Sequence, residues 1–115
     1  MTFGYFSEEE SEQFAFYRIP QVLFKDERFS KLSTDAKVLY GLFLNRVSLS
    51  KKNHWIDEDG RVYVYYTLEN IQEDLSCASQ KAMKLLKELE RYGLIERVKQ
   101  GLFNQPRIYV NKFML

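Results

Sequence analysis

Residues 67–110 constrain this chain more than any other stretch. They read TLENIQEDLSCASQKAMKLLKELERYGLIERVKQGLFNQPRIYV. Thr67 has the side chain of a helix N-cap, and Leu68, Ile71 and Leu75 follow at helical spacing. Ser76 reads as the cap of a second, longer helix, which Gly93 stops at its C-terminal end. Residues 94–98 (LIERV) and 107–110 (RIYV) then alternate as paired strands around a polar, basic loop from Lys99 to Pro106. Helix, tight turn, helix and ribbon, in that order, make a winged helix-turn-helix. The expected fold is therefore mostly α with a small β-sheet, presenting one helix and one hairpin on a single side.

The upstream residues supply the rest of a core. Ser33 reads as the N-cap of a long helix, with Asp35 in its first turn where the helix dipole favours an acid. Ala36, Leu39, Tyr40, Phe43 and Val47 face inward at helical spacing, and the helix is expected to fade near residues 48–50. Before it, residues 14–19 suit an extended segment ending at Pro20, which starts a short helical turn through Phe24. After it, residues 55–64 (WIDEDGRVYV) read as a hairpin about the Asp59-Gly60 pair. Asp57, Glu58 and Asp59 resemble part of a calcium loop but lack its remaining oxygen ligands and closing Glu, so they are assigned to the turn and no metal is expected.

At 115 residues, with 45% hydrophobic and 16% aromatic content, the chain is one core-forming domain, taken as residues 14–112. Residues 1–13 form an acidic arm and residues 113–115 a short tail. The arm carries Phe3, Tyr5 and Phe6, which either stay on the surface or dock on a neighbouring subunit. One cysteine excludes an intramolecular disulfide and suits a reducing compartment. No basic-then-apolar leader and no long apolar run is present, so a cytoplasmic protein without a membrane partner is expected.

The net charge of +1 conceals a gradient. Residues 1–15 carry four acids and no base, whereas residues 76–115 carry eight bases against three acids, a local +5. A polyanionic partner fits that distribution, and double-stranded DNA is the partner the fold suits.

On a helical wheel of residues 76–92, Ala78, Ala82, Leu85, Leu86 and Leu89 form the inward stripe. Gln80, Lys84, Lys87 and Arg91 lie opposite, with Lys81 on one flank. Major-groove readout needs long donors near the start of such a helix. Gln80 suits adenine edges, Lys81 and Lys84 suit guanine acceptors or phosphates, and Ser76 and Ser79 suit phosphates. Thr67 and the free amides of its helix start offer another phosphate seat. In the loop, Lys99, Asn104, Gln105 and Arg107 are the expected backbone or minor-groove contacts. Phe103 at the tip has three fates, in order of expectation: folding back on the core, meeting a partner subunit, or touching DNA. Cys77 falls in the first turn of the second helix, where the dipole would favour a thiolate; a small residue at a helix start is the simpler reading. His54 has no visible partner. No catalytic triad, phosphate-cradling glycine loop or Cys/His metal spacing occurs, so neither an enzyme nor a cofactor is expected.

The runs FYRIPQVLF, KLSTDAKVLYGLFLNRVSLSKKNHWIDEDGRVYVYYTLENIQEDL, LLKELERYGLIERVKQG and RIYV resemble the N-terminal domain of the RepA_N plasmid replication initiators. The resemblance spans residues 14–110. Its specific parts are the Leu-Ser-x-x-Ala-Lys helix start, the WIDEDGRVY hairpin and the YGLIER link into the ribbon. It implies a winged-helix domain, similar in fold to the primosomal protein DnaD, that binds repeated sites (iterons) in a plasmid origin as a dimer or higher assembly. It also implies a separate C-terminal domain engaging host replication proteins, so this chain reads as a fragment. The same resemblance places DNA contacts at Ser76, Ser79, Gln80, Lys81 and Lys84, with the wing at residues 99–107. Two rivals stay open: a transcriptional repressor of the same fold, and a protein-interaction winged helix whose basic face is merely solvated. Candidate pairing surfaces are the aromatic arm, the Trp55 hairpin and the Phe113-Met114-Leu115 tail.

Overall fold

The computed structural model describes residues 1–8 and 14–113; most of the acidic run of the arm and the last two residues lie outside them. Four helices and one two-stranded sheet follow in chain order: α1 (Val22–Lys25), α2 (Thr34–Lys52), α3 (Leu68–Leu75), α4 (Ser79–Arg91), β1 (Ile95–Val98) and β2 (Arg107–Val110), with a 3-10 turn at Glu27–Phe29. This is the mostly helical winged helix that the sequence pattern implies.

Ser33 caps α2 through its hydroxyl, which accepts the Ala36 amide at 3.1 Å. The helix runs past the expected fade at residues 48–50, because the Asn53 amide still reaches the Leu49 carbonyl and Lys51 and Lys52 sit where the dipole favours cations. Ala36, Leu39, Tyr40 and Phe43 are buried; Val47 is half-buried at the margin. Gly41 lies where residues 18–19 cross α2. A Cβ there would stand 2.8 Å from Ile19 Cγ1 and 2.9 Å from the Arg18 carbonyl oxygen.

The hairpin at residues 55–64 shrinks to a single bridge, Ile56 to Val62. Gly60 takes a left-handed conformation (φ +80°) behind the Gly60 N–H to Asp57 carbonyl bond, the geometry of a three-residue hairpin loop. The Asp57 carboxylate accepts the Asp59 and Arg61 amides and the Tyr109 hydroxyl, so the acidic run is spent on turn chemistry. Among the described residues, no cluster of three or more His, Cys, Asp or Glu side chains could hold a metal ion.

β1 and β2 pair antiparallel in the register Ile95↔Val110 to Val98↔Arg107. Val64 adds a one-residue third strand, exchanging both backbone bonds with Ile108 at 2.8 and 3.0 Å. Leu23, Leu39, Phe43, Val64, Ile71, Leu89 and Ile108 form the centre of a core shared by all these elements. Phe113, read from the sequence as the start of a short tail and a candidate pairing surface, packs on Phe29 and Tyr40 of its own chain with ring centres 5.6 and 5.7 Å apart. Phe3, Tyr5 and Phe6 are exposed. No helix among the described residues is long and apolar enough to cross a membrane.

Candidate nucleic-acid interface

The corner between α3 and α4 differs from the expected one. Thr67 does cap α3, its hydroxyl accepting the Asn70 amide at 3.0 Å. Ser76, however, does not cap α4. It closes α3 in a left-handed conformation (φ +52°), with its own amide on the Glu73 carbonyl and the Cys77 amide on the Gln72 carbonyl. That double bond is the glycine-type helix ending, here built on serine. Gly93 (φ +74°) ends α4 in the same way, with bonds from Gly93 to Glu90 and from Leu94 to Leu89. The turn uses up residues 76–78, so α4 starts at Ser79 behind an extended Ala78 that supplies no side-chain cap. Ala78 is exposed rather than inward, and Cys77 lies in the turn, not in a helical turn. The first amides of α4 are thereby left without a side-chain acceptor.

Beyond its first turn α4 follows the wheel. Ala82, Leu85, Leu86 and Leu89 are buried, while Ser79, Gln80, Lys84, Lys87 and Arg91 are exposed. Positions 80, 84, 87 and 91 lie on one helical stripe. Glu88 is the exception. Although an acid, it is 7% exposed and accepts both the Ser33 amide (2.5 Å) and the Ser33 hydroxyl (2.9 Å). It fills the acceptor role that a capping box assigns to the third helical residue, here Ala36, and fills it from another helix. The foot of α2 is thereby fixed against α4.

Lys81, expected to face DNA freely, is paired: its Nζ lies 2.6 Å from Asp35 Oδ2. This hydrogen bond raises the Lys81 pKa above the ordinary lysine value. Gln80, Lys81 and Lys84 line one groove between α4 and the start of α2, and Ser76 shares a neighbouring cleft with Asp35 and Lys81.

The wing is organised by a residue the sequence pattern did not single out. Gln100 donates to the Tyr65 hydroxyl (3.0 Å) and to the Gln105 carbonyl (3.2 Å), and its own carbonyl accepts the Asn104 side chain (3.3 Å). Asn104 is thus engaged within the loop, and Gln105 through its backbone. Lys99 is exposed at the loop's start. Arg107 is not a free wing contact: it is half-buried in β2 and lies over the Tyr63 ring, 4.4 Å from its centre. Tyr63 in turn meets Tyr65 and Tyr109 edge to face, and Trp55 meets Tyr65. This aromatic row, placed by the Asp57 turn, backs the wing. Phe103 does not fold onto the core; it is 95% exposed beside Leu102 at 90%. Thr67 and Gln105 line a cleft between the start of α3 and the wing, where Arg97 is held by Glu90 at 2.5 Å.

The expected residues therefore fall into two groups. Ser76, Gln80, Lys81 and Lys84 gather round the foot of α2, and Thr67, Asn104 and Gln105 gather at the base of the wing. Ser79 and Lys99 stand exposed outside these clefts.

A helix-turn-helix whose second helix shows a polar, cationic stripe beside a two-stranded wing is a winged-helix domain. The chain belongs to the family described as Replication initiator protein A (RepA) N-terminus, which matches residues 15–115. It is 36% identical over 92 residues to a 41 kDa protein of Lactobacillus helveticus, a match covering 80% of this chain. The chain spans only 26% of the length of that curated relative. Three solved structures are similar. One is the N-terminal domain of a DNA-binding protein (TM-score 0.81, 36% identity, 99% of this chain and 87% of that one). Another is a Rep–DNA complex (TM-score 0.80, 37% identity, 97% and 86%). A third is an MDR initiator (TM-score 0.77, 33% identity, 97% and 88%).

Proposed function

We propose that this domain binds double-stranded DNA sequence-specifically at repeated sites in a plasmid replication origin, as the N-terminal part of a replication initiator. The observation that carries the reading is the α4 stripe. Gln80, Lys84 and Lys87 are exposed along it, and neither lysine has an ion-pair partner among the described residues. The uncapped first turn of α4 adds free amides where a phosphate would sit. Likeness to a chain solved in a Rep–DNA complex supports the same reading.

The mechanism is binding rather than chemistry. Lysines neutralise phosphates and supply affinity, while Gln80 and its neighbours read base edges in the major groove. The wing lies alongside, with Lys99 toward the backbone. Assembly as a dimer or higher form on tandem sites would tie affinity to origin architecture. A further domain of the full protein would engage host replication proteins, and the setting would be the cytoplasm.

The test is fluorescence anisotropy with origin-repeat and scrambled duplexes at two salt concentrations. Lys84→Ala should weaken binding to both duplexes and lower the salt slope by about 0.9. Gln80→Ala should relax preference at one base position, by about 1–3 kcal/mol. Wild-type affinity and preference in both variants would sink the assignment of α4. The exposed Leu102 and Phe103 favour a second reading, in which the wing meets an apolar protein surface. Absence of any salt-dependent DNA binding would favour that reading.

A further inference from the structure

Of the three lysines on the exposed side of α4, Lys84 and Lys87 have no ion-pair partner among the described residues and Lys81 has one. Its partner, Asp35, comes from the first turn of α2, 46 positions earlier in the chain. The placement is not accidental to the packing. Lys81, Leu85 and Glu88 lie on one side of α4, four and seven residues apart, and that side meets the foot of α2. Glu88 holds Ser33 there by two hydrogen bonds. Asp35, two residues on, is thereby set beside the start of α4, and its carboxylate is stabilised by the α2 dipole. The ion pair is half exposed, Lys81 at 54% and Asp35 at 53%, so it can open without leaving a buried charge.

We infer that Asp35 is a specificity-determining residue, which withholds Lys81 from phosphates in sequence-blind binding. This rests on the DNA-binding reading above. A duplex held only by its charge slides past the protein and offers phosphates in many positions. A free, flexible lysine would find one of them in nearly every position, whereas a docked complex holds α4 in one register and offers Lys81 only the phosphates of that register. A lysine already paired must exchange one anion for another and leave Asp35 facing the polyanion, so it gains little. In a docked complex, base contacts by Gln80 and its neighbours set the register, and they do not depend on Lys81 leaving Asp35. Asp35 therefore lowers affinity for random sequence more than for the cognate site.

The experiment compares wild type, Asp35→Asn, Lys81→Ala and the double variant. Each is titrated with a random-sequence duplex and with a duplex selected from a random pool by the wild-type domain. Asp35→Asn should raise affinity for the random duplex about two- to fivefold, the range an exposed ion pair commands. It should steepen the salt slope for that duplex by about 0.9. Affinity for the selected site should rise less, so the ratio of the two falls. In the Lys81→Ala background the same change should do less and shift both duplexes alike, because only the repulsion between Asp35 and phosphates is then relieved. Asp35→Ser, also suited to a first helical turn, serves as a second variant, and a thermal melt confirms folding of each. An unchanged or increased ratio in Asp35→Asn would overturn the inference, as would an undiminished effect without Lys81. Wild type that binds neither duplex would remove the DNA-binding reading and this inference with it. Wild type that binds, with Asp35→Asn unchanged, removes the inference alone.

Discussion

Glu88→Ala should cost this domain a large share of its stability, although it deletes a charge from a helix with a surface face. The Glu88 carboxylate accepts two hydrogen bonds from Ser33, at 2.5 and 2.9 Å, and the residue is 7% exposed. Hydrogen bonds to charged acceptors contribute about 1.5–3 kcal/mol each, and a stranded donor costs about 1–3 kcal/mol. Ser33 is half-buried, so water recovers part of the loss. Removal of an acid from the N-terminus of α2 adds about 0.3–1 kcal/mol. With the two bonds discounted for that recovery, the net loss is about 2–4 kcal/mol, against a total of about 5–15 kcal/mol for a domain of this kind. At about 4 °C per kcal/mol, the midpoint should fall by about 8–16 °C in a circular-dichroism melt. Glu88→Gln keeps one acceptor oxygen but turns the other position into a donor, and should lose about half as much. A double-mutant cycle with Ser33→Ala isolates the hydroxyl bond and should give a coupling of about 1–2 kcal/mol. A midpoint within about 2 °C of wild type for Glu88→Ala, or strict additivity in the cycle, would refute the reasoning.

Two further outcomes follow from the core. Gly41→Ala gains about 1 kcal/mol of helix propensity but drives a methyl into the Arg18 carbonyl oxygen at 2.9 Å, a backbone atom that must shift. Overpacking costs of about 1–3 kcal/mol should win, and a raised melting midpoint would show that they do not. Burial pushes the Tyr40 hydroxyl up to about 12, where it donates to the Asn111 carbonyl at 2.5 Å. The folded state then holds the proton more tightly than the unfolded state, whose tyrosine titrates near pH 10. The contribution is complete below pH 10 and is lost as pH rises toward 12, by at most about 1.4 kcal/mol per pH unit. Tyr40→Phe should be less stable at neutral pH yet decline less across that window in urea titrations; an identical decline would count against the assignment.

Signals in the sequence are legible where the chemistry is local. Thr67 and Ser33 cap their helices because a hydroxyl three residues ahead of an amide needs nothing from the rest of the fold. Gly93 ends α4 because few residues but glycine take that conformation cheaply. Ser76 misled for the same reason: serine is a good N-cap, and nothing nearby signals that this one takes a left-handed conformation normally left to glycine. The candidate contacts on α4 survived as exposed positions. What could not be read was which of them are already engaged. Lys81 is paired across 46 positions, Arg107 stacks on Tyr63 across 44, and Gln100 bonds Tyr65 across 35. Such partners depend on tertiary geometry that no periodicity carries. Glu88 did leave a trace, as an acid within one turn of Leu85 and Leu89 on the inward side, the mark of a buried polar group with a fixed partner. Phe103 left the opposite trace, an apolar side chain that found no core to join.

The span of α2 limits how homologous chains can differ in length. Its 19 residues make a rod of about 28 Å. One end is fastened to α4 by Glu88 and Lys81. Near the other, the Ser50 carbonyl receives the Trp55 amide and Arg46 holds the Tyr65 carbonyl, which sets the aromatic row behind the wing. One residue inserted between these fastenings would turn one end about 100° against the other, and no side chain could follow. Alignment gaps among relatives should therefore avoid residues 33–50. They should gather instead at the tip of the wing loop, residues 101–103, which is exposed and takes part in none of the bonds named above.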